Sequence, residues 1–311
     1  MKEGFSPKNP SFEGSSSPGT SPPPRGREVN TSGAHRLDLN VGREETLMKP
    51  IPLYWVDAFT DRLFGGNPAA VCPLEQWLDT ELMQSVAREN NLSETAFFVR
   101  EGDLFHLRWF TPLIEIDLAG HPTLAAAHVI FHHLGYRGDV IAFRSRSGPL
   151  SAARRGEVIT LNFPSREPRA VPAPPLLAEG LRREPAEVWK ARDYLALFDT
   201  EEEVRGLDPD FAALSGLDCL GIIATAPGED CDFVSRFFAP AAGIPEDPVT
   251  GSAHSTLIPF WARRLGKEDM HARQISRRGG ELFCRHGGDR VDIGGKAVTY
   301  LQGEIRLGGS Y

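Results

Sequence analysis

An internal duplication constrains the fold of this 311-residue chain more than any other feature. The segment Arg-Trp-Phe-Thr-Pro at 108–112 corresponds to Arg-Phe-Phe-Ala-Pro at 236–240. In each copy a glutamate precedes a glycine by five residues, and a helical pattern then continues to a Leu-Gly pair. The two glycines, Gly120 and Gly251, are 131 residues apart. A repeat of this length indicates two similar domains rather than a solenoid.

The duplication predicts an α+β protein whose two pseudo-symmetric domains each wrap a mostly antiparallel sheet around one apolar helix. The first helix is expected to run to about Leu134 with His121 as its N-cap. The second is expected over 253–265 with Ser252 as the equivalent N-cap. The Pro-rich stretch 164–175 is interpreted as the linker. The helix starts would then face each other across a cleft, and their free N–H groups would suit a carboxylate.

Charge and composition exclude several classes of partner. The net charge of -8 argues against nucleic acid and anionic membrane surfaces, which both favour a basic protein. No run of 18 apolar residues is present, so no membrane span is predicted. The four cysteines lack C-x-x-C spacing, which favours reduced thiols over a zinc site or a disulfide framework. We therefore expect a soluble, cytoplasmic protein.

Residues 1–47 differ in composition from the rest of the chain. They are rich in Ser, Pro and Gly and show no hydrophobic period, so we predict that they are disordered. They lack the apolar core of a signal peptide, and their acidic residues argue against a transit peptide. Met48 directly precedes the first strand-like segment, which is compatible with a gene start placed too far upstream.

Two places in the sequence carry candidate chemistry. The stretch 244–254 combines two carboxylates, a glycine and a hydroxyl at a predicted helix start. Glu94 lies between a helix end and an apolar run that includes Phe97 and Phe98, where loss of solvent would raise its pKa and suit a general base. Local pattern alone leaves two alternatives open, an acidic capped helix entry and a surface glutamate at a strand edge.

Two further chemistries are disfavoured. His128 and His132 have the i, i+4 spacing of metal ligands, but no acidic third ligand lies nearby in the sequence. A serine hydrolase that uses Ser252, His254 and Asp247 would lack the Gly-x-Ser-x-Gly turn on which such nucleophiles sit.

Five motifs together resemble the PhzF-like isomerase family of phenazine biosynthesis, which has the diaminopimelate epimerase fold. They are Phe64-Gly-Gly-Asn-Pro68, Ser93-Glu-Thr-Ala-Phe-Phe98, Arg108-x-Phe-Thr-Pro112, Gly120-His-Pro-Thr123 and Glu246-Asp-Pro-Val-Thr-Gly-Ser-Ala-His254. The resemblance covers residues 48–307 and implies barrel-like sheets with an interdomain active site. It implies a first domain of 48–165 plus 298–308, completed by a returning last strand, and a second domain of 166–297.

The resemblance also implies a mechanism. In the best understood relative, the residue that corresponds to Glu94 is the acid/base that moves a proton on a cyclic dihydro-hydroxyanthranilate. Its supporting catalytic residues fall on His121 and Asp247. The substrate-binding residues fall on Gly120, Gly251, Ser252, Ser93 and Asn67. No metal or organic cofactor is implied. The expected partners are a small carboxylate-bearing metabolite and a second copy of the chain, with no nucleic acid and no membrane.

Two other functions stay open at this point. Racemases and epimerases of this fold use two thiols, which would fall on Ala119 and Thr250, so a two-cysteine mechanism is disfavoured. An epimerase-like or lyase-like proton abstraction at an amino-acid α-carbon is still an alternative. The remaining alternative is a non-catalytic family member that binds other proteins.

Overall fold

Alternating burial marks several strands of the sheet, whereas others are buried at nearly every position. In Val140–Ser145, for example, Ile141, Phe143 and Ser145 are buried while the residues between them are exposed, as expected for a half-buried strand. The computed structural model describes residues 49–307. The predicted disordered segment, 1–47, lies outside the described residues.

The described chain contains eighteen strands and six α-helices. The strands are β1 (Ile51–Ala58), β2 (Asn67–Leu74), β3 (Glu94–Glu101), β4 (Leu104–Phe110), β5 (Glu115–Ile116), β6 (Val140–Ser145), β7 (Gly148–Arg155), β8 (Val158–Pro164), β9 (Arg169–Ala170), β10 (Glu187–Lys190), β11 (Tyr194–Leu197), β12 (Ile222–Pro227), β13 (Phe233–Ala239), β14 (Ile244–Asp247), β15 (Asp269–Gln274), β16 (Gly280–Gly287), β17 (Arg290–Gly295) and β18 (Ala297–Ile305). The helices are α1 (Thr80–Asn90), α2 (His121–His132), α3 (Pro175–Leu181), α4 (Glu201–Arg205), α5 (Phe211–Leu214) and α6 (Gly251–Leu265), with a 3-10 turn at Pro240–Ala242.

Strand pairing repeats between the two halves of the chain. In the first half β1 pairs with β2 and β18, β2 with β3, β3 with β4, and β4 with β5 and β6. In the second half β10 pairs with β11 and β9, β11 with β12, β12 with β13, and β13 with β14 and β15. The parallel pairs occupy equivalent places, β2–β3 with β4–β6 and β11–β12 with β13–β15. The predicted mostly antiparallel α+β fold is confirmed.

One apolar helix occupies the centre of each half. Helix α2 is buried along almost its whole length against β1, β2, β3, β8 and β18, and α6 packs on β15, β16 and β17. A helix that is apolar on every side must be enclosed by other elements, which explains why each sheet curves around its helix. The last strand, β18, returns to pair with β1, as predicted.

Antiparallel pairing of β8 with β17 joins the two halves into one sheet and one compact unit. The domain limits 48–165 plus 298–308 and 166–297 stay a prediction. No helix within residues 49–307 is long and apolar enough to cross a membrane.

The predicted N-caps are wrong by one or two residues. His121 is the first helical residue of α2 and Gly120 its N-cap, while Ser252 is the second residue of α6 and Thr250 its N-cap. Helix α6 begins earlier because Gly251 takes up helical geometry and the Gln274 amide oxygen accepts from the Thr250 N–H at 2.8 Å. Within the Pro-rich stretch expected to be only a linker, β9 pairs with β10.

Candidate active site

The two helix starts touch each other backbone to backbone. A Cβ built on Gly120 would lie 2.8 Å from Gly251 Cα, and one built on Gly251 would lie 3.0 Å from Gly120 Cα. Side chains cannot be accommodated at such distances, so each position requires glycine. The prediction that the matching helix starts face each other is confirmed.

Matching ion pairs hold the segments that lead to these helix starts. Arg108 Nε and Nη2 donate to the Glu115 carboxylate, both at 2.8 Å. In the other half Arg236 Nε and Nη2 donate to Glu246 at 2.7 and 3.0 Å. These are the arginines and glutamates that the duplication aligns, and bidentate pairs of this kind fix orientation as well as charge.

A cavity of about 290 Å³ opens beside the two helix starts. Six of the eight predicted site residues line it, namely Glu94, Gly120, His121, Asp247, Gly251 and Ser252. Ser93 is not among the residues around this cavity, and Asn67 lies behind it.

Glu94 and His121 meet inside this cavity. Glu94 is the first residue of β3 and His121 the first of α2, so both side chains project from the ends of regular elements. Glu94 Oε2 lies 3.0 Å from His121 Nε2, with side chains only 12% and 5% exposed. The two atoms lack the alignment of a hydrogen bond, and neither has a hydrogen-bond partner among the described residues. A proton donor or acceptor on a ligand would therefore find both atoms available.

Asp247 is held on both carboxylate oxygens. Asn67 Nδ2 donates to Oδ1 at 2.8 Å and Thr250 Oγ1 donates to Oδ2 at 2.5 Å. Gln274 Nε2 donates to the Asp247 backbone carbonyl at 2.7 Å. These bonds fix the carboxylate rigidly beside α6, because every partner is itself buried.

Burial and neighbouring charge shift the pKa values of this group. Burial raises the pKa of Asp247 to about 6, although the charge of His121 opposes the rise, and the charge of Glu94 reinforces it. Burial alone would lower the pKa of His121, but the carboxylates of Glu94 and Asp247 outweigh it and raise that pKa. Shifted pKa values in buried ionisable groups are typical of sites of acid/base chemistry, and Asp247 and His121 show such shifts.

Asn67 links the histidine to the aspartate. Its Nδ2 lies within hydrogen-bond distance of Asp247 Oδ1, the Val249 carbonyl and His121 Nδ1, the last at 3.1 Å. When Asn67 donates to Nδ1, the proton of the neutral imidazole resides on Nε2, the nitrogen that faces Glu94. Asn67 thus positions both ionisable neighbours without lining the cavity.

Sequence reasoning missed two polar side chains at the site. Gln274 ends β15 and is 1% exposed, and it points to the same side of the strand as the buried Met270 and Ala272. A polar residue at an inward-facing position of an alternating strand was the signal available in the sequence. Arg192 lines the cavity from the turn between β10 and β11. No motif or periodicity marks Arg192 in the sequence.

The thiols lie elsewhere in the fold. Ala119 and Thr250 line the cavity at the positions where two-thiol racemases carry cysteine, and none of the four cysteines does so. Cys72 and Cys284 are buried, which raises the pKa of each thiol and disfavours a reactive thiolate.

Two disfavoured chemistries find no geometric support. Among residues 49–307 no group of three or more His, Cys, Asp or Glu side chains is arranged to hold a metal ion. His128 Nε2 instead contacts Thr299 Oγ1 at 3.0 Å. His254 Nδ1 donates to the Thr250 carbonyl within its own helix, whereas Ser252 Oγ contacts Arg192, so no serine–histidine pair forms.

Comparison with known proteins identifies the family. The sequence profile described as "Phenazine biosynthesis-like protein" matches residues 56–303. The chain belongs to this PhzF-like family. An uncharacterized isomerase of Pseudomonas aeruginosa is 50% identical over 258 residues, which cover 83% of this chain and 99% of the relative.

Solved structures agree on the architecture of this PhzF-like chain. The crystal structure of a phenazine biosynthesis protein of the PhzF family from Enterococcus faecalis superposes with a TM-score of 0.82 at 46% identity, covering 83% of this chain and all of that one. A hydroxyproline epimerase from Agrobacterium vitis, 11% identical, has a TM-score of 0.58 over 84% of this chain and 93% of its own. At that identity the likeness concerns the fold alone, and it supports the predicted epimerase-like architecture.

Proposed function

We propose that this chain is a PhzF-like isomerase that moves a proton on a small carboxylate-bearing metabolite, cyclic substrates included. Glu94 is the acid/base, His121 and Asp247 support it, and no metal or organic cofactor takes part. The observation that carries the proposal is the buried approach of Glu94 Oε2 to His121 Nε2 at 3.0 Å, inside a cavity that Asp247 also lines.

Glu94 removes a proton from one carbon and returns it to another in this mechanism. Because its side chain is 12% exposed, the protonated carboxyl has little contact with solvent and keeps the proton while the intermediate lasts. His121, whose Nδ1 lies 3.1 Å from Asn67 Nδ2, contacts Glu94 through its Nε2 and directs the carboxylate at the substrate. The buried carboxylate of Asp247 favours a protonated His121 through its charge.

The substrate carboxylate binds where the two helices begin. Backbone N–H groups in the first turn of α2 and of α6 lack partners within their helices, and the helix dipoles favour an anion there. Gly120 and Gly251 allow the close backbone approach, and Ser252 adds a hydroxyl. Ser93 and Asn67 remain predicted contributors, Asn67 through its bonds to Asp247 and His121.

The alternatives have less support. Racemisation by two thiols lacks cysteine at both cavity positions, Ala119 and Thr250. A protein-binding member without catalysis would have no need for a buried, hydrogen-bonded group of ionisable residues, which is costly to maintain. Homodimerisation and a cytoplasmic location remain expectations, the first from the frequency of symmetric dimers.

Proton transfer on candidate acids tests the proposal. Dihydro-hydroxyanthranilate, other small cyclic acids and chiral amino acids are incubated with the full chain in deuterated water and analysed by mass spectrometry and NMR. We expect isomerisation of a carboxylate substrate by wild-type protein and a loss of roughly 100-fold or more in Glu94→Gln. Glu101→Gln, at the other end of the same strand, is the matched control. Undiminished turnover by Glu94→Gln would overturn the role of Glu94, and α-deuterium exchange on an amino acid would favour the epimerase alternative.

A further inference from the structure

Most of the charged side chains that line the cavity are acidic and would repel an anionic substrate. Three carboxylates line it, those of Glu94, Asp117 and Asp247, together with His121. Arg192 is the one Lys or Arg among the described residues that line this cavity. An anionic ligand beside three carboxylates requires a compensating cation in a site with little solvent.

Arg192 is held rigidly by its neighbour in the sequence. Its Nε donates to both Asp193 carboxylate oxygens at 3.1 Å, and its Nη2 donates to Oδ2 at 2.7 Å. Asp193 is 1% exposed, whereas the Arg192 side chain is 30% exposed. Asp193 therefore orients the guanidinium from behind and leaves its opposite edge accessible.

Only Nη1 of the Arg192 guanidinium carries donors that the described residues leave unused. Nη2 also donates to Ser252 Oγ at 3.2 Å, which places the guanidinium at the first turn of α6. Nη1 makes no hydrogen bond within the described part of the chain. The two N–H groups of Nη1 and the hydroxyl proton of Ser252 can therefore each donate to an oxygen of a carboxylate.

A second arginine, Arg166, lies close enough to Arg192 for their charges to interact. Arg166 Nη1 is buried and has no hydrogen-bond partner among residues 49–307. Burial lowers the pKa of Arg166, and the charge of Arg192 lowers it further, so the two guanidinium groups repel each other. An anion bound at Arg192 would relieve this repulsion.

We propose that Arg192, together with Ser252, binds an acidic group of the substrate and makes the cavity selective for carboxylates over their neutral analogues. The inference rests on the proposed function and deepens it. Glu94 belongs to the first half of the chain and Arg192 to the second, so each half contributes one of these two side chains to the cavity.

Binding of matched acids and amides tests the role of Arg192 without turnover. Isothermal titration calorimetry with benzoate and anthranilate, against benzamide and anthranilamide, is carried out on the full chain. We expect wild-type protein to bind the acids more tightly than the amides. Arg192→Gln is expected to lose roughly 10- to 100-fold in affinity for the acids with little change for the amides. Arg192→Lys is expected to retain part of the preference, and Arg183→Gln, an exposed arginine elsewhere, all of it.

Because Arg192→Gln leaves Asp193 buried without its partner, folding is controlled by the double variant Arg192→Gln/Asp193→Asn, which removes both charges. It is expected to show the same loss for acids. Wild-type protein that binds neither acid, or binds acids no better than amides, would overturn the proposal, as would an unchanged preference in both variants. Glu94→Gln separates the two proposals. If the Glu94→Gln variant retains both normal turnover and the preference for acids, the proposed role of Glu94 is rejected and that of Arg192 is retained.

Discussion

Burial and neighbouring charges shift the pKa values of individual residues at this site. Asp247 has a pKa of about 6 against an ordinary value of 3.8, chiefly because its carboxylate is out of contact with water. The folded state therefore binds more protons than the unfolded state between about pH 4 and pH 6. Folding stability falls as pH rises through this window. The raised pKa of His121 also lowers folding stability as pH increases, at pH values above its ordinary pKa of 6.5.

Substitution of Asp247 should remove the lower part of this pH dependence. Between pH 4 and pH 7 we expect the free energy of unfolding to fall in wild-type protein by about 1–3 kcal/mol more than it falls in Asp247→Asn. Urea unfolding at intervals across that range measures the difference. Asp269→Asn, at an exposed aspartate, should follow wild type at every pH. Parallel curves for wild type and Asp247→Asn would show that Asp247 titrates normally in the folded protein.

At the scale of the elements, the main feature is the contact between the first turns of α2 and α6. Helices α2 and α6 approach so closely at Gly120 and Gly251 that no side chain fits between them. Both helices present their first turns to the same cavity. The separation of the helices therefore determines the spacing of the side chains that line the cavity.

An added methyl group at either helix start should force the helices apart. We expect Gly251→Ala to lower the free energy of unfolding by about 1–3 kcal/mol, because its Cβ would meet backbone rather than a movable side chain. Turnover should fall roughly 100-fold from misplacement of the reacting groups. Gly303→Ala, whose nearest neighbour would be Leu301 Cδ2 at 3.7 Å, is the control for thermal melts and kinetics. Equal stability of the two variants would refute the packing argument.

The sequence predicted the main elements and, through the family motifs, six of the residues that line the cavity. The duplication predicted both helix starts and the arginines and glutamates that proved to be paired, because period and spacing are properties of the chain itself. The pairing of Arg192 with Ser252 depends on how a turn folds back over a helix sixty residues away, which no local pattern encodes. The N-cap of α6 was missed because Gln274, from a distant strand, accepts from the Thr250 N–H at the start of that helix.

At the scale of the whole molecule, the two halves share one sheet. Strand β8 pairs with all of β17, Arg290–Gly295, through every β8 residue except Val158. The contact between the two helix starts adds a second connection. Unfolding of one half would leave the edge of β8 or β17 without its partner and expose part of the other core.

Thermal unfolding should consequently be a single cooperative transition. We expect differential scanning calorimetry of the full chain to give one peak with equal calorimetric and van 't Hoff enthalpies. Two resolved peaks would mean that each half is stable by itself and that the shared sheet couples them only weakly.

In the proposed mechanism one carboxylate, that of Glu94, carries the proton from carbon to carbon. The most direct measurement uses dihydro-hydroxyanthranilate, or the carboxylate substrate found by screening, deuterated at the carbon that loses its proton and turned over in ordinary water. We predict that part of the deuterium reappears at the new carbon, because a buried single base exchanges slowly with solvent. Glu94→Gln should abolish this transfer. Complete loss of the label to solvent, with turnover unchanged in Glu94→Gln, would contradict this mechanism.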